Sequence, residues 1–301
     1  MFSLSKIYKM IKSYFKIFRC PDDSSKLFFH KDYLEYEKCK RCFPIFADNL
    51  VELLPREFPK WDLQNGENKE TEETYYRFCL EKFSWERKSP GWGAFTIDNP
   101  GYRAFIKKER EKIKNLILLR LQNWLMIDVS AGCGNYSVYL SSLASLMVHC
   151  EAEIQSLLSA QELAANSKGD NIIFVRANYL KLPFLDNLFD VVICTDTLER
   201  GKNHEIQLLR EMYRILKKGG TGIFDFHNLR PLAKKYNPHI VFYTKEEIKK
   251  LFEGLNINNF KIYPFGYFPT RFALNEFIYS LLDRIFKYFL PPIRYIAVIE
   301  K

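Results

Sequence analysis

Leu125-Met-Ile-Asp-Val-Ser-Ala-Gly-Cys-Gly-Asn135 is the stretch that decides the fold of this 301-residue chain. Its apolar residues predict a short strand closing on Asp128, then a tight turn of small residues, then an amphipathic helix beginning near Asn135. Small residues at 130, 131, 132 and 134 let the main chain approach a ligand closely. The helix that follows aims unpaired backbone N–H groups at the same point. Such a turn cradles a nucleotide or a nucleoside.

Downstream, strand-like runs at 124–129, 146–150, 172–176, 189–194, 222–226, 257–264 and 294–300 alternate with helical patterns near 135–145, 153–167, 203–217 and 244–253. Alternation of this kind predicts an α/β fold, a parallel sheet with helices on both faces and right-handed crossovers. Four features then line up as a nucleoside site at the carboxyl ends of the strands requires. The first is the turn, with Asp128, Ser130, Gly132, Cys133 and Gly134. Glu151 ends the second strand, where a carboxylate can accept both ribose hydroxyl protons. Asn178-Tyr179 follows the third, an amide for an adenine edge beside a side chain that can cover the ring. Thr195-Asp196 follows the fourth, at the floor of the crevice. The third glycine of the nicotinamide fingerprint is replaced by Ser137, and a phosphate-binding Lys-Ser/Thr pair is absent. Together these features point to an adenosine-bearing cofactor.

Upstream, Leu4, Ile7, Tyr8, Ile11, Tyr14, Phe15 and Phe18 share one helical face, with lysines opposite. A helix of that kind either packs on the domain that follows or lies on an anionic membrane. Cys20-Pro-Asp-Asp23 and Cys39-Lys-Arg-Cys42 read as the two knuckles of a small zinc ribbon whose first knuckle has a single cysteine. The expected ligands are Cys20, Asp23, Cys39 and Cys42, and the competing reading is a ribbon that keeps its fold without metal. The expected division is 1–57 for the helix and ribbon-like domain, 58–112 for a linker and helical cap, and 113–301 for the α/β domain with a helical insertion at 265–293.

The formal net charge is +9, but residues 1–19 supply five bases and no acid, so the body is not basic throughout. Seven scattered cysteines make no disulfide framework, and no secretory signal is evident. The apolar stretch 272–293 contains Glu276, Asp283, Arg284 and Lys287, which argues against a membrane span. A reducing, cytoplasmic setting is expected, with peripheral membrane contact through residues 1–19 and 267–293.

Ile127-Asp-Val-Ser-Ala-Gly-Cys-Gly134, Glu151, Leu182–Val192, Thr197-Leu-Glu199 and Leu209–Gly220 resemble the class I S-adenosylmethionine-dependent methyltransferases, in the type 11-like group that includes quinone and small-molecule enzymes. The resemblance covers roughly residues 113–264. It implies a Rossmann-like seven-stranded sheet, its last strand antiparallel beside the sixth. It also implies that the 130–134 turn holds the methionine end of the cofactor, Glu151 the ribose and Asn178 the adenine. Three positions depart from the family pattern: Ser130 stands for Gly, Asn178 for Asp, and Arg200 for a commonly proposed His base. The N-terminal residues separately resemble the small zinc-ribbon domain found as a methyltransferase activator, through Phe18-Arg-Cys-Pro21, Cys39-x-x-Cys42, Phe43-Pro-Ile45 and Leu53-Leu-Pro55.

The implied reaction is methyl transfer to a small-molecule or lipid-like acceptor. Asp196, Glu199, His204 and His227 are candidate bases, because they follow strands four and five at the crevice rim. Helical spacing of apolar residues across 267–293 predicts either a helix docked on the domain or a lid or membrane-facing element. The runner-up is an RNA methyltransferase guided by the ribbon, and the third reading is a non-catalytic partner that binds cofactor.

Overall fold

Side chains of the central strands divide between two apolar faces, and this sets the layers. Ile127 and Val129 enter one core and Met126 the other; Leu146, Val148 and Cys150 oppose Met147 in the same way. A strand buried on both faces needs neighbours that cover both. The computed structural model describes residues 10–30, 33–36, 40–46, 49–55, 58–59, 69–70, 99–118, 124–167, 170–199, 204–230, 241–270, 272 and 274–301.

Strands β1 (Leu27–Phe29), β2 (Tyr33–Tyr36), β3 (Cys42–Phe46) and β4 (Leu50–Glu52) come first, and a separate two-stranded ribbon pairs β5 (Phe58–Pro59) with β6 (Lys69–Glu70). Helix α1 (Pro100–Leu118) leads into β7 (Trp124–Val129), α2 (Ser137–Leu140), β8 (Ala144–Glu151), α3 (Ile154–Asn166), β9 (Ile172–Arg176) and β10 (Phe189–Cys194). Then come α4 (Glu205–Ile215), β11 (Leu216–His227), α5 (Lys245–Gly254), β12 (Phe260–Phe265), α6 (Glu276–Phe286) and β13 (Arg294–Glu300).

The seven expected strands form a continuous array in the order β9-β8-β7-β10-β11-β13-β12. β7 to β11 run parallel, and β13 is antiparallel to both β11 and β12. The array is larger than seven. β4 pairs in parallel with β9, so β1 to β4 extend the same sheet to eleven strands.

That pairing changes the reading of residues 1–57. Leu34, Phe43, Val51 and Leu53 are buried in the same core as Ile127 and Val175. Of the expected N-terminal helix, residues 10–14 form helical turns that tighten into a 3-10 turn at Phe15–Ile17. Ile11, Ile17 and Phe18 are buried against the main body, Arg19 N donates to Pro183 O at 2.9 Å, and Phe18 bridges to Phe184. The apolar face from residue 11 to 18 is thus spent inside the fold, not offered to a membrane. Residues 1–9 lie outside the described residues.

The helix expected at 135–145 is cut to α2 and a 3-10 turn at Ser141–Leu143, because β8 begins at Ala144. No helix among the described residues is long and apolar enough to cross a membrane.

Candidate active site

Three residues of the turn after β7 take positive φ: Ser130 at 55°, Gly132 at 53° and Gly134 at 83°. Each needs it for a different reason. A Cβ on Gly134 would lie 3.0 Å from Ala160 Cβ and Val138 Cγ2, so glycine lets α3 approach the turn. A Cβ on Gly132 would meet nothing within 4 Å, so the turn faces open space there. Ser130 adopts the left-handed conformation despite its side chain, at a cost of about 1–2 kcal/mol. The departure from glycine therefore leaves the turn's shape intact.

Glu151 folds back onto that turn. Its Oε2 accepts from Gly132 N at 2.9 Å, while Oε1 accepts from Ala152 N at 2.7 Å and Glu153 N at 3.0 Å. Three amides thus fix the carboxylate beside the open face of Gly132. Asp128 is buried beneath: Oδ2 accepts from Ser137 N at 2.9 Å, and Oδ1 has no hydrogen-bond partner. Burial raises its pKa to about 7. Ser137 Oγ also meets His149 Nδ1 at 2.7 Å, and burial depresses that imidazole to about 3.

The remaining expected cofactor residues differ in placement. Asn178 is buried with Oδ1 accepting from Leu180 N at 2.9 Å, a local turn. Tyr179 is buried in the core with Leu180 and Leu182. Cys133 is half-buried, and Thr195 is buried with its carbonyl accepting from Thr197 Oγ1.

At the ends of β10 and β11 lies a second polar group. Arg294, buried at the start of β13, donates from Nη1 to Asp225 Oδ2 at 2.7 Å and from Nη2 to Asp196 Oδ1 at 2.5 Å. Glu109 of α1 stands 3.4 Å from the same Nη1 and accepts from Tyr136 OH. His227 Nε2 is 3.3 Å from Asp196 Oδ1 and 4.0 Å from Glu199 Oε1. Burial raises Asp225 and Glu109, whereas Arg294 and His227 outweigh burial at Asp196 and hold its carboxyl below the usual range. Of the four candidate bases, Asp196, Glu199 and His227 therefore meet. His204 instead occupies the N-cap position of α4 without a side-chain capping bond, and Arg200 lies outside the described residues.

Arg294, Asp225, Glu109 and Tyr136 are not anticipated by the sequence reading. The available signal was a charge embedded in an apolar strand: Asp225 within Ile223-Phe-Asp-Phe226, and Arg294 opening Arg294-Tyr-Ile-Ala-Val-Ile299.

Among the described residues, Cys20, Asp23 and Cys42 do not gather as a three-ligand group. Asp23 accepts from Ser25 N at 3.1 Å, Ser25 Oγ at 2.6 Å and Tyr36 OH, which hold its carboxyl well below the usual range. Cys20 is buried, Cys42 is exposed, and Cys39 lies outside the described residues. Among the described residues, the ligand-type atoms within 4.8 Å of one another belong to Asp196, Asp225 and His227, not to Cys20, Asp23 and Cys42. Asp23 is held by these hydrogen bonds in the turn after Cys20.

Residues 127–224 match the methyltransferase domain family. The ubiquinone/menaquinone biosynthesis C-methyltransferase UbiE of Hahella chejuensis is 32% identical over 133 residues, 43% of this chain and 46% of the relative. Its counterpart in Pasteurella multocida is 30% identical over 169 residues, 54% of each chain. The chain thus spans about half the length of the curated relatives it matches. The crystal structure of magnesium protoporphyrin IX methyltransferase from Synechocystis PCC 6803 with bound SAH covers 76% of this chain and 100% of its own, at TM-score 0.51 and 16% identity. The fold is the Rossmann-like α/β fold of methyltransferases.

Proposed function

We propose that this chain is an S-adenosylmethionine-dependent methyltransferase acting on a small, lipid-like acceptor. The observation that carries this reading is the Glu151 carboxylate fixed on the Gly132 amide, beside open space at a left-handed glycine. A hydroxyl-rich ribose needs such an acceptor pair, and a ligand that runs over backbone needs such a glycine. The donor set fits the cofactor: the 130–134 turn for its methionine end, Glu151 for the ribose hydroxyls, Asn178 for the adenine edge. Because Asn178 Oδ1 serves Leu180 N, its amide nitrogen acts as the donor to a ring nitrogen. When bound, the cofactor supplies a methyl group on a sulfonium that is already a good leaving group. The protein's task is then to hold the acceptor close and in line, worth several kcal/mol.

The quinone acceptors named for the UbiE relatives support an apolar acceptor here. So do α6, which turns Tyr279 and Asp283 inward and leaves Phe277 at 78% exposure, and the turn after it, which leaves Tyr288 at 74% and Phe289 at 75%. Arg284 and Lys287 flank that apolar face, the pattern of an element that rests on an anionic bilayer surface. We assign membrane contact to this face rather than to residues 11–18.

Isothermal titration with S-adenosylhomocysteine tests the cofactor reading: micromolar binding is expected, and no heat from a folded protein overturns it. Sedimentation with phosphatidylglycerol vesicles tests the surface. Wild type should pellet and a Phe277→Asp, Phe289→Asp double variant should remain in solution; equal pelleting of both removes α6 from the account.

A further inference from the structure

We propose that Asp196 and His227 form the proton-accepting centre for a neutral, hydroxyl-bearing acceptor, with Arg294 as the positioning residue that fixes Asp196. The inference rests on the methyltransferase reading and names the acceptor chemistry of that site.

Strain is the first observation. Asp196 takes φ 53° two residues after β10, a left-handed conformation that aspartate adopts more readily than most non-glycine residues but that still departs from the favoured regions. It is pinned there from three sides. Its amide donates to Asp225 Oδ1 at 2.8 Å, its Oδ1 accepts from Arg294 Nη2 at 2.5 Å, and the same oxygen faces His227 Nε2 at 3.3 Å. Strain held in place by several partners is characteristic of sites where geometry serves chemistry.

Location is the second. β10 neighbours β7 in the sheet, and the strand order reverses between them, so Asp196 sits at the carboxyl edge where the crevice opens. His227 ends the next strand, with 18% of its side chain exposed. The pair is reachable by a small molecule, whereas Arg294 and Asp225 behind it are buried.

Charge is the third. The groups facing His227 are Asp196 and Glu199 from the loop after β10 and the ring of Phe242 before α5. Behind them stand Asp225, Arg294 and Glu109, with Tyr136 bound to Glu109. Four carboxyl groups, of which burial pushes Asp225 and Glu109 toward the protonated form, meet one guanidinium and one imidazole, and Asp196 and Glu199 stand at the His227 side. Such a site repels a carboxylate or phosphate on the acceptor and welcomes an O–H donor. Asp196, Asp225 and His227 also hold ligand-type atoms within 4.8 Å, but the Arg294 guanidinium already bridges both aspartates and supplies the positive charge there.

With Asp196 accepting from Nε2–H, the imidazole keeps its Nδ1 lone pair for the acceptor proton. The O–H bond breaks with its electron pair left on the acceptor. That pair, on oxygen or delocalised to a ring carbon, forms the bond to methyl as the sulfur–carbon pair returns to sulfur. For a ring carbon, the displaced C–H proton moves to the oxygen and restores aromaticity. One proton remains on His227 and leaves to solvent.

The experiment uses the full chain, S-adenosylmethionine, and two probes: 1,4-naphthohydroquinone and its 2-carboxylate. His227→Ala should lower kcat by about a hundredfold or more, with KM for the neutral probe within about threefold and partial recovery in added imidazole. Asp196→Asn should lower kcat about tenfold or more with KM likewise kept. Arg294→Lys, which retains charge but loses the two-pronged reach, should lower kcat while S-adenosylhomocysteine affinity by titration stays within about twofold. Unchanged kcat in His227→Ala, or no recovery with imidazole, overturns the pair. Faster turnover of the carboxylate, or turnover of neither probe by wild type that binds S-adenosylhomocysteine, overturns the acceptor class. Wild type that fails to bind S-adenosylhomocysteine overturns the underlying reading, and this one with it.

Discussion

The Gly132 amide donates to Glu151 Oε2 at 2.9 Å, so the turn after β7 and the acid that ends β8 form one structure. Glu151 spends Oε1 on two amides of the following loop, which orients the carboxylate before any ligand arrives. Glu151→Gln keeps one oxygen and replaces the other with a donor facing amide donors. Hydrogen bonds to a charged group contribute about 1.5–3 kcal/mol, so S-adenosylhomocysteine affinity should fall roughly ten- to hundredfold by titration. Unaltered affinity would remove Glu151 from the cofactor site.

The two glycines of the turn should separate stability from binding. Gly134→Ala combines φ 83° with contacts at 3.0 Å to Ala160 and Val138, and should cost about 2–4 kcal/mol in urea denaturation. Gly132→Ala meets nothing within 4 Å, so it should cost only about 1–2 kcal/mol of backbone strain. The added methyl enters the space proposed for the cofactor, however. Gly132→Ala should therefore lose more cofactor affinity than stability, and a stability loss equal to that of Gly134→Ala would contradict the open space beside it.

Asp128 and His149 meet through Ser137 and should give opposite pH dependences. Asp128 rises from 3.8 to about 7, so the folded chain holds a proton that the unfolded chain releases. Its contribution is fully present below pH 3.8 and is lost as pH rises through about 7. His149 falls from 6.5 to about 3, so its contribution is present above pH 6.5 and is lost as pH falls toward 3. Between about pH 4 and 6.5 the two slopes cancel. Asp128→Asn should unmask the histidine: stability relative to wild type should rise with pH by about 1.4 kcal/mol per unit across that window. His149→Gln should show the reverse slope, and parallel curves for wild type and both variants would refute the coupling.

The turn after β7 was legible because backbone geometry demands particular residues: glycine at 132 and 134, and an acid one strand away. The strands were legible because continuous burial leaves continuous apolar runs. What was not legible is non-local. Arg294 meets Asp196 and Asp225 only because β13 inserts beside β11, and nothing near residue 294 announces two aspartates about seventy and a hundred residues earlier. Tyr179 follows Asn178 in sequence, and its burial with Leu180 and Leu182 in the core is likewise set by contacts that sequence position alone does not show. The N-terminal strands read as a free-standing ribbon because their pairing with β9 depends on a long-range register.

That pairing yields the last expectation. Glu52 of β4 reaches across to Arg176 of β9, with Oε2 3.1 Å from Nη1, while Arg176 Nε donates to Ala152 O at 3.0 Å. Arg176 is fully buried, so Glu52→Ala removes one carboxylate from a desolvated guanidinium. Breaking one side of such a pair costs about 3 kcal/mol or more, far above a surface substitution. Replacing both residues, Glu52→Leu with Arg176→Met, removes the buried charge as well and should recover most of that loss. Ala152 adjoins Glu151, so the single variant should also weaken S-adenosylhomocysteine binding severalfold through the shifted loop. An N-terminal segment that folds apart from the main sheet would show neither effect: Glu52→Ala would leave the unfolding midpoint of the α/β domain where it stands, and the double variant would have nothing to restore.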